Sequence, residues 1–176
     1  MSIIVDALEF AEKAHSGQTR MYSGEPYILH PAQVANLVRQ YTSNDEVIAA
    51  AYLHDVLEDC GVTEEEIRIR FGDNITKICL ELVNRSVSPE YKSLRRSERK
   101  AIDREKIATI SPDAQLIKTC DRLDNVLDLF DAPDKYQKLY AEETLLLVDV
   151  LTKAPTVLVE AVRGSAQSVL KSFDGA

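Results

Sequence analysis

Apolar residues recur at three- and four-residue spacing from the start of the chain. Ile4, Ala7, Leu8, Ala11 and Ala14 share one face of a helix, because positions i, i+3, i+4 and i+7 line up at 3.6 residues per turn. The pattern fails over residues 16–29, where Gly17, Ser23, Gly24 and Pro26 mark a long loop. Pro31 suits the first turn of a second helix, with Val34, Leu37, Val38 and Tyr41 on one face. Asn44 or Asp45 can cap a third helix running to about Asp59. Thr63 and Glu66 form a capping box for the next; Gly72 is its stop, and Asp73 caps a further helix with Ile75, Ile78 and Leu82 inward. Residues 84–96, NRSVSPEYKSLRR, are irregular and basic. Helices follow at about 97–109 and 112–130, and two more begin near Pro133 and Pro155, the last ending around Phe173. No segment alternates as a strand does, and no internal repeat or linker interrupts the chain. The prediction is an all-α bundle, one domain over residues 1–176.

Composition narrows the function. No apolar run approaches the roughly 18 residues that cross a bilayer, and Asp6 and Glu9 interrupt an N-terminus that lacks the basic start of a signal peptide. Cys60, Cys79 and Cys120 form no CxxC pair, which fits buried, reduced thiols in the cytoplasm. The net charge of −8 opposes nucleic acid as partner, since a long polyanion needs an extended basic face. A small anion is still compatible, because a metal ion and a few placed cations reverse the local sign.

Candidate chemistry gathers in three segments. AAAYLHDVLED puts His54 and Asp55 side by side in an apolar stretch, with Glu58 four residues after one and Asp59 four after the other. Four ionisable groups so close together are costly without a compensating ion, although a solvated acidic helix end explains the same residues. His30 sits at a loop–helix junction in PYILHPAQVA, where a packing role is equally open. LIKTCDRLDNVLDLF places Asp121 and Asn125 at i and i+4, with Asp124 and Asp128 on an adjoining stripe. Imidazole with carboxylate suits Mn, Fe, Co or Zn better than Ca.

In the order in which they occur, these blocks resemble a known family. AHSGQTRMYSGEPYILHP, AAAYLHDVLED, FGDNITKICLELV, SERK with LIKTCDRLDN, and YAEETL together are similar to the HD-type (p)ppGpp hydrolases, namely the hydrolase domain of the Rel/Spo proteins and the Mesh1-like small alarmone hydrolases. The resemblance covers about residues 7–151 and implies an HD-domain helical bundle. It implies metal ligands at His30, His54, Asp55 and Asp121, with Mn²⁺ as the usual ion. Glu58 and Asp59 correspond to the acidic pair that activates or positions the attacking water. Arg20 corresponds to an arginine on the nucleotide base, Asn125 to an asparagine near the ribose, Tyr140 to a pocket tyrosine and Arg96 to a phosphate-facing basic residue. His15, within the opening block, reads as structural. The chain departs from the family at Met21, Asp124 and Leu127, where lysine, histidine or tyrosine, and arginine are frequent.

The resemblance implies hydrolysis of the 3′-pyrophosphate of ppGpp or pppGpp, giving GDP or GTP and pyrophosphate. The chain length leaves no room for a synthetase domain, so degradation alone is expected. Two alternatives stay open: an HD phosphohydrolase of another nucleotide such as a dNTP or NADPH, and a nucleotide-binding module without turnover.

Overall fold

The computed structural model describes residues 2–173, and every regular element among them is helical. The α-helices are α1 (Ile3–Ala14), α2 (Leu29–Val38), α3 (Asp45–Tyr52), α4 (Val56–Asp59), α5 (Glu64–Leu82), α6 (Arg96–Thr109), α7 (Pro112–Leu127), α8 (Asp134–Val148) and α9 (Thr156–Lys171). Short 3₁₀ turns at Arg85–Val87, Pro89–Tyr91 and Asp128–Asp131 complete the path. None of the described helices is long and apolar enough to cross a membrane.

Helix α3 is the central element. Val47 through Leu53 are all buried, so the helix is covered on every side, as an apolar segment this short requires. It packs on α1, α2, α5 and α7. Helix α7 lies across α2, α5 and α9, and α8 pairs with α9. Leu53, Ile67, Ile75, Ile117, Leu151 and Leu158 are fully enclosed, each worth about 1.5–3 kcal/mol in buried apolar surface.

Polar anchors set the position of α7. The Ser111 hydroxyl accepts from Ala114 N at the helix start, and Glu81 accepts from Ser111 N at 3.2 Å. One turn on, the buried Gln115 amide donates to the carbonyls of Ile107 (2.9 Å) and Val150 (3.3 Å) and accepts from Lys153 N (2.8 Å). A fully bonded buried amide fixes register, whereas an unpaired one would cost about 1–3 kcal/mol.

Several expected boundaries shift. Helix α2 starts at Leu29, so Pro31 falls within its first turn. Tyr41 lies beyond the helix and is exposed. The capping box forms as expected. Gly72 takes a φ of +84°, a conformation suited to glycine, but the chain continues helically beyond it and α5 bends rather than stops. Asp73 accepts from Arg68 at 3.1 Å. The largest difference concerns the third helix. It does not run from Asp45 to Asp59 but breaks at Leu53–Asp55.

Candidate active site

That break carries the His-Asp pair. His54 Nδ1 lies 2.9 Å from the Ala51 carbonyl oxygen, the acceptor that a continuing helix would offer to Asp55 N–H. The imidazole takes this oxygen, and the backbone opens into a turn before α4. In the neutral ring, with Nδ1 donating to Ala51, the lone pair of His54 lies on Nε2, which is buried and has no hydrogen-bond partner. Asp55 Oδ2 is 3.0 Å from it and also accepts from the Tyr27 hydroxyl at 2.8 Å.

His30 enters from α2, and its ring centroid is 5.1 Å from that of His54. Its Nδ1 is 2.6 Å from Asp124 Oδ2, and its Nε2 faces Asp121 Oδ1 at 3.3 Å and Asp55 Oδ2 at 3.6 Å. Asp121, on α7, accepts from Lys118 Nζ at 2.8 Å and from Asn125 Nδ2. The fold thus brings His30, His54, Asp55 and Asp121 together from three separate elements.

The charges in this cluster depend on one another. Burial pulls the His30 imidazole down, but Asp121 and Asp124 outweigh it and raise its pKa to about 9. Burial pushes Asp121 up, yet the Lys118 ammonium and the two imidazoles hold it well below the usual carboxylate range. Asp55 is likewise held down against burial, chiefly by His54. His30, His54 and Asp121 offer ligand atoms within 4.8 Å of one another. The unpartnered His54 Nε2 marks a place for a Lewis acid, and the carboxylate behind His30 Nδ1 matches the support that metal-binding histidines usually have. The donor set therefore fits a divalent transition metal.

Glu58 and Asp59 have different surroundings. Both oxygens of Glu58 are engaged by Asn84, through its backbone N (2.9 Å) and its side-chain amide (3.0 Å). Asp59 is exposed, and its pKa rises to about 6 through partial desolvation and the nearby charges of Asp55 and Glu58. A carboxyl with a pKa close to neutral suits proton transfer.

Beside the cluster, Arg20, Tyr22, Asn125, Tyr136 and Tyr140 line a cavity of about 170 Å³. The Arg20 guanidinium donates to Asp128 Oδ2 (2.8 Å from Nε) and Asn125 Oδ1 (3.1 Å), and its Nη2 lies 3.5 Å from Asp124. Tyr140 lies under the Arg122 guanidinium, 4.4 Å from its ring centroid. Arg96 lies outside this lining. Its guanidinium forms a paired contact with Glu143 at 2.7 and 2.9 Å and lies 5.7 Å from the Tyr136 ring. His15 is buried, bonded to Gln18 (2.8 Å) and close to Cys60 Sγ (3.2 Å) in the fold of the loop.

Sequence reasoning did not single out Tyr27, Asn84 or Lys118, each of which holds one of the acidic residues. Lys118 had a signal, since i−3 from Asp121 on a helix puts the two on one face. Tyr27 and Asn84 act across 28 and 26 residues of chain, and no local pattern marks them.

A helical scaffold that sets His-Asp in a helix break opposite a second aspartate defines the class, and the chain belongs to the HD domain family, matched over residues 7–153. Its relatives are more specific. The guanosine-3′,5′-bis(diphosphate) 3′-pyrophosphohydrolase of Aquifex aeolicus (strain VF5) is 41% identical over 141 residues, which is 79% of this chain and 19% of that protein. The Homo sapiens guanosine-3′,5′-bis(diphosphate) 3′-pyrophosphohydrolase MESH1 is 33% identical over 129 residues, covering 72% of this chain and 69% of its own. A solved structure described as a metazoan ortholog of SpoT that hydrolyzes ppGpp superposes with a TM-score of 0.76 at 27% identity, over 98% of this chain and 96% of that one. The chain spans about a fifth of the length of the first curated relatives it matches.

Proposed function

We propose that the chain is a metal-dependent phosphohydrolase that removes the 3′-pyrophosphate of ppGpp or pppGpp, giving GDP or GTP and pyrophosphate. The observation that carries this is the double bonding of Asn125, whose amide donates to Asp121 in the metal-ligand cluster and accepts from Arg20 in the adjoining cavity. A nucleotide in that cavity has its ribose side next to the cluster. The buried core draws on α1 through α9, which supports treating residues 1–176 as one domain.

His30, His54, Asp55 and Asp121 would hold the metal, for which Mn²⁺ is our assignment among the ions suited to this donor set. When bound, a divalent ion acidifies water and neutralises charge on phosphate oxygens. Asp59 accepts the proton as water oxygen attacks the proximal 3′-phosphorus, and the bond to the ribose O3′ breaks, the departing O3′ taking a proton from solvent to become the 3′-hydroxyl. Glu58 fixes the segment at Asn84. Arg20, held in place by Asp128 and Asn125, presents its flat face to the guanine. Tyr140 closes the cavity, and Arg96 stands across Tyr136 from it as a cation for the phosphates.

The test compares kcat/KM for ppGpp, GTP, dATP and NADPH with one Mn²⁺-loaded sample. We expect ppGpp to lead and to release GDP and pyrophosphate. If a substrate lacking the 3′-pyrophosphate led by tenfold, about 1.4 kcal/mol of transition-state preference, the assignment of substrate would be wrong.

A further inference from the structure

On α7, the residue after Asp121 faces a different cavity. Arg122 and Lys118 of α7 and Lys100 and Arg104 of α6 line a space of about 40 Å³, together with Asn84 and Glu143. A single water needs roughly 10–15 Å³ of such space, so the cavity has room for a small cluster of oxygens, the size of a phosphoryl group.

Its charges do not balance. Asp103, also on its wall, accepts from Ser86 N and Oγ, both at 2.8 Å. Glu143 is engaged by Arg96, and the Lys118 ammonium by Asp121. Among the described residues, Lys100 and Arg104 have no hydrogen-bond or ion-pair partner. Arg122 is only 8% exposed, and its Nε is buried without one. Its one hydrogen bond from the terminal nitrogens is a long contact of 3.5 Å to the Thr144 hydroxyl. Burial pulls the Lys100 ammonium down and the neighbouring Arg122 adds to it, against a smaller opposing pull from the Asp103 and Glu143 carboxylates. Enclosing like charges beside an unpaired donor is costly unless an anion compensates, and guanidinium with ammonium is a common set for phosphate oxygens.

This cavity shares its walls with the candidate active site. Lys118 bonds Asp121, and Asn84 bonds Glu58. We propose that the cavity is an oxyanion site for one phosphoryl group. Resting on the function proposed above, we assign to it the distal phosphate of the 3′-diphosphate. Water adds to the proximal phosphorus and the O3′–P bond breaks. The distal phosphate keeps all its bonds and leaves within pyrophosphate. The cavity therefore measures the length of the 3′ substituent and favours a diphosphate over a monophosphate.

The experiment has a binding arm and a kinetic arm. Inorganic pyrophosphate is titrated calorimetrically into the full chain in EDTA, so that no metal contributes. Wild type should bind it, and Lys100→Gln and Arg122→Gln should each weaken binding tenfold or more. Lys77→Gln, an exposed cation on α5, should leave binding unchanged. Because Arg122 is buried, Lys100→Gln is the deciding variant, with its fold checked by circular dichroism. In the kinetic arm, the Mn²⁺-loaded wild type should prefer ppGpp over guanosine 5′-diphosphate 3′-monophosphate, and Lys100→Gln should narrow that preference at least tenfold. No pyrophosphate binding in wild type, equal binding in Lys100→Gln, or equal loss in Lys77→Gln overturns the oxyanion site and leaves ppGpp hydrolysis standing. Pyrophosphate binding without ppGpp turnover overturns the proposed substrate instead.

Discussion

Two polar clusters meet on α7, and they have opposite needs. Asp121 and Arg122 are neighbours in the chain, and neighbours on a helix point about 100° apart. On the Asp121 side, three more carboxylates, Asp55, Asp59 and Asp124, crowd around two imidazoles, and a buried nitrogen lone pair has no partner. On the Arg122 side, cations outnumber free carboxylates and a buried N–H has no partner. The first side calls for a cation and the second for an anion. Lys118 joins them, lining the cationic cavity while its ammonium bonds Asp121. The phosphate-bearing substrate and metal ion proposed above would satisfy both sides together, and the overall charge of −8 tells nothing of this local arrangement.

The most severe perturbation removes the link between the two sides. Asp121→Ala strands the Lys118 ammonium, and breaking a buried ion pair by removing one partner typically costs about 3–5 kcal/mol. Urea unfolding of the metal-free protein should show a loss of that size, and adding Lys118→Met should recover most of it. If Asp121→Ala unfolds at the wild-type midpoint, the two sides are not joined through this pair.

Asp59→Asn tests the acidic side without disturbing the core. Turnover should fall about 10²–10⁴-fold, the usual contribution of a general base, with nucleotide affinity nearly unchanged. In wild type, kcat/KM should rise as pH increases through about 6, where Asp59 gives up its proton, and the variant should lack that limb. Stability should move the other way. The folded state raises this pKa, so ionisation at neutral pH opposes folding, and the variant should melt higher at pH 7. That gain should vanish below the ordinary carboxylate range, where folded and unfolded states are both protonated. Glu58→Gln offers a contrast, since its partner Asn84 predicts a larger effect on stability than on the pH profile.

Asp124→Asn is smaller and more local. Its carboxylate accepts from His30 Nδ1 at 2.6 Å, and losing such support for a metal-binding histidine typically costs 10–100-fold in metal affinity. Calorimetric titration with Mn²⁺ should show this while urea stability changes little. Unaltered affinity would remove Asp124 from the metal side.

The two sides were not equally legible in the sequence. Asp121, Asn125 and Asp124 stand on a regular helix, where spacing alone gives their faces. His54 and Asp55 occur in AAAYLHDVLED, whose residues all tolerate a helix, and nothing local shows that the imidazole will take the Ala51 carbonyl and break it. The cationic cavity was hidden for another reason. Lys100 and Arg104 on α6 and Arg122 on α7 stand on separate helices with no shared spacing to group them, and only packing through the α6–α7 turn makes them neighbours. The resemblance gives Arg96 as a phosphate-facing cation, but its pairing with Glu143 spans 47 residues, and no local pattern marks it. The fold class followed from period and caps, which are local properties, whereas the site depends on contacts between distant segments.

Arg20 links the nucleotide cavity to the acidic side, and its removal is the mildest of these perturbations. Arg20 is held by Asp128 and Asn125 and lies at 3.5 Å from Asp124, which also supports His30. Two roles are then distinguishable by kinetics. If Arg20 holds the base, the contact is equal in ground and transition states, and its loss raises KM while leaving kcat. Arg20→Ala should therefore raise KM for ppGpp about tenfold, roughly 1.4 kcal/mol, with kcat within about twofold of wild type. Asp128→Asn should show the same pattern more weakly, because Asn125 and Asp124 still hold the guanidinium. A fall in kcat with KM unchanged, accompanied by weaker Mn²⁺ binding, would instead mean that Arg20 acts through Asp124 on His30 and belongs with the acidic cluster.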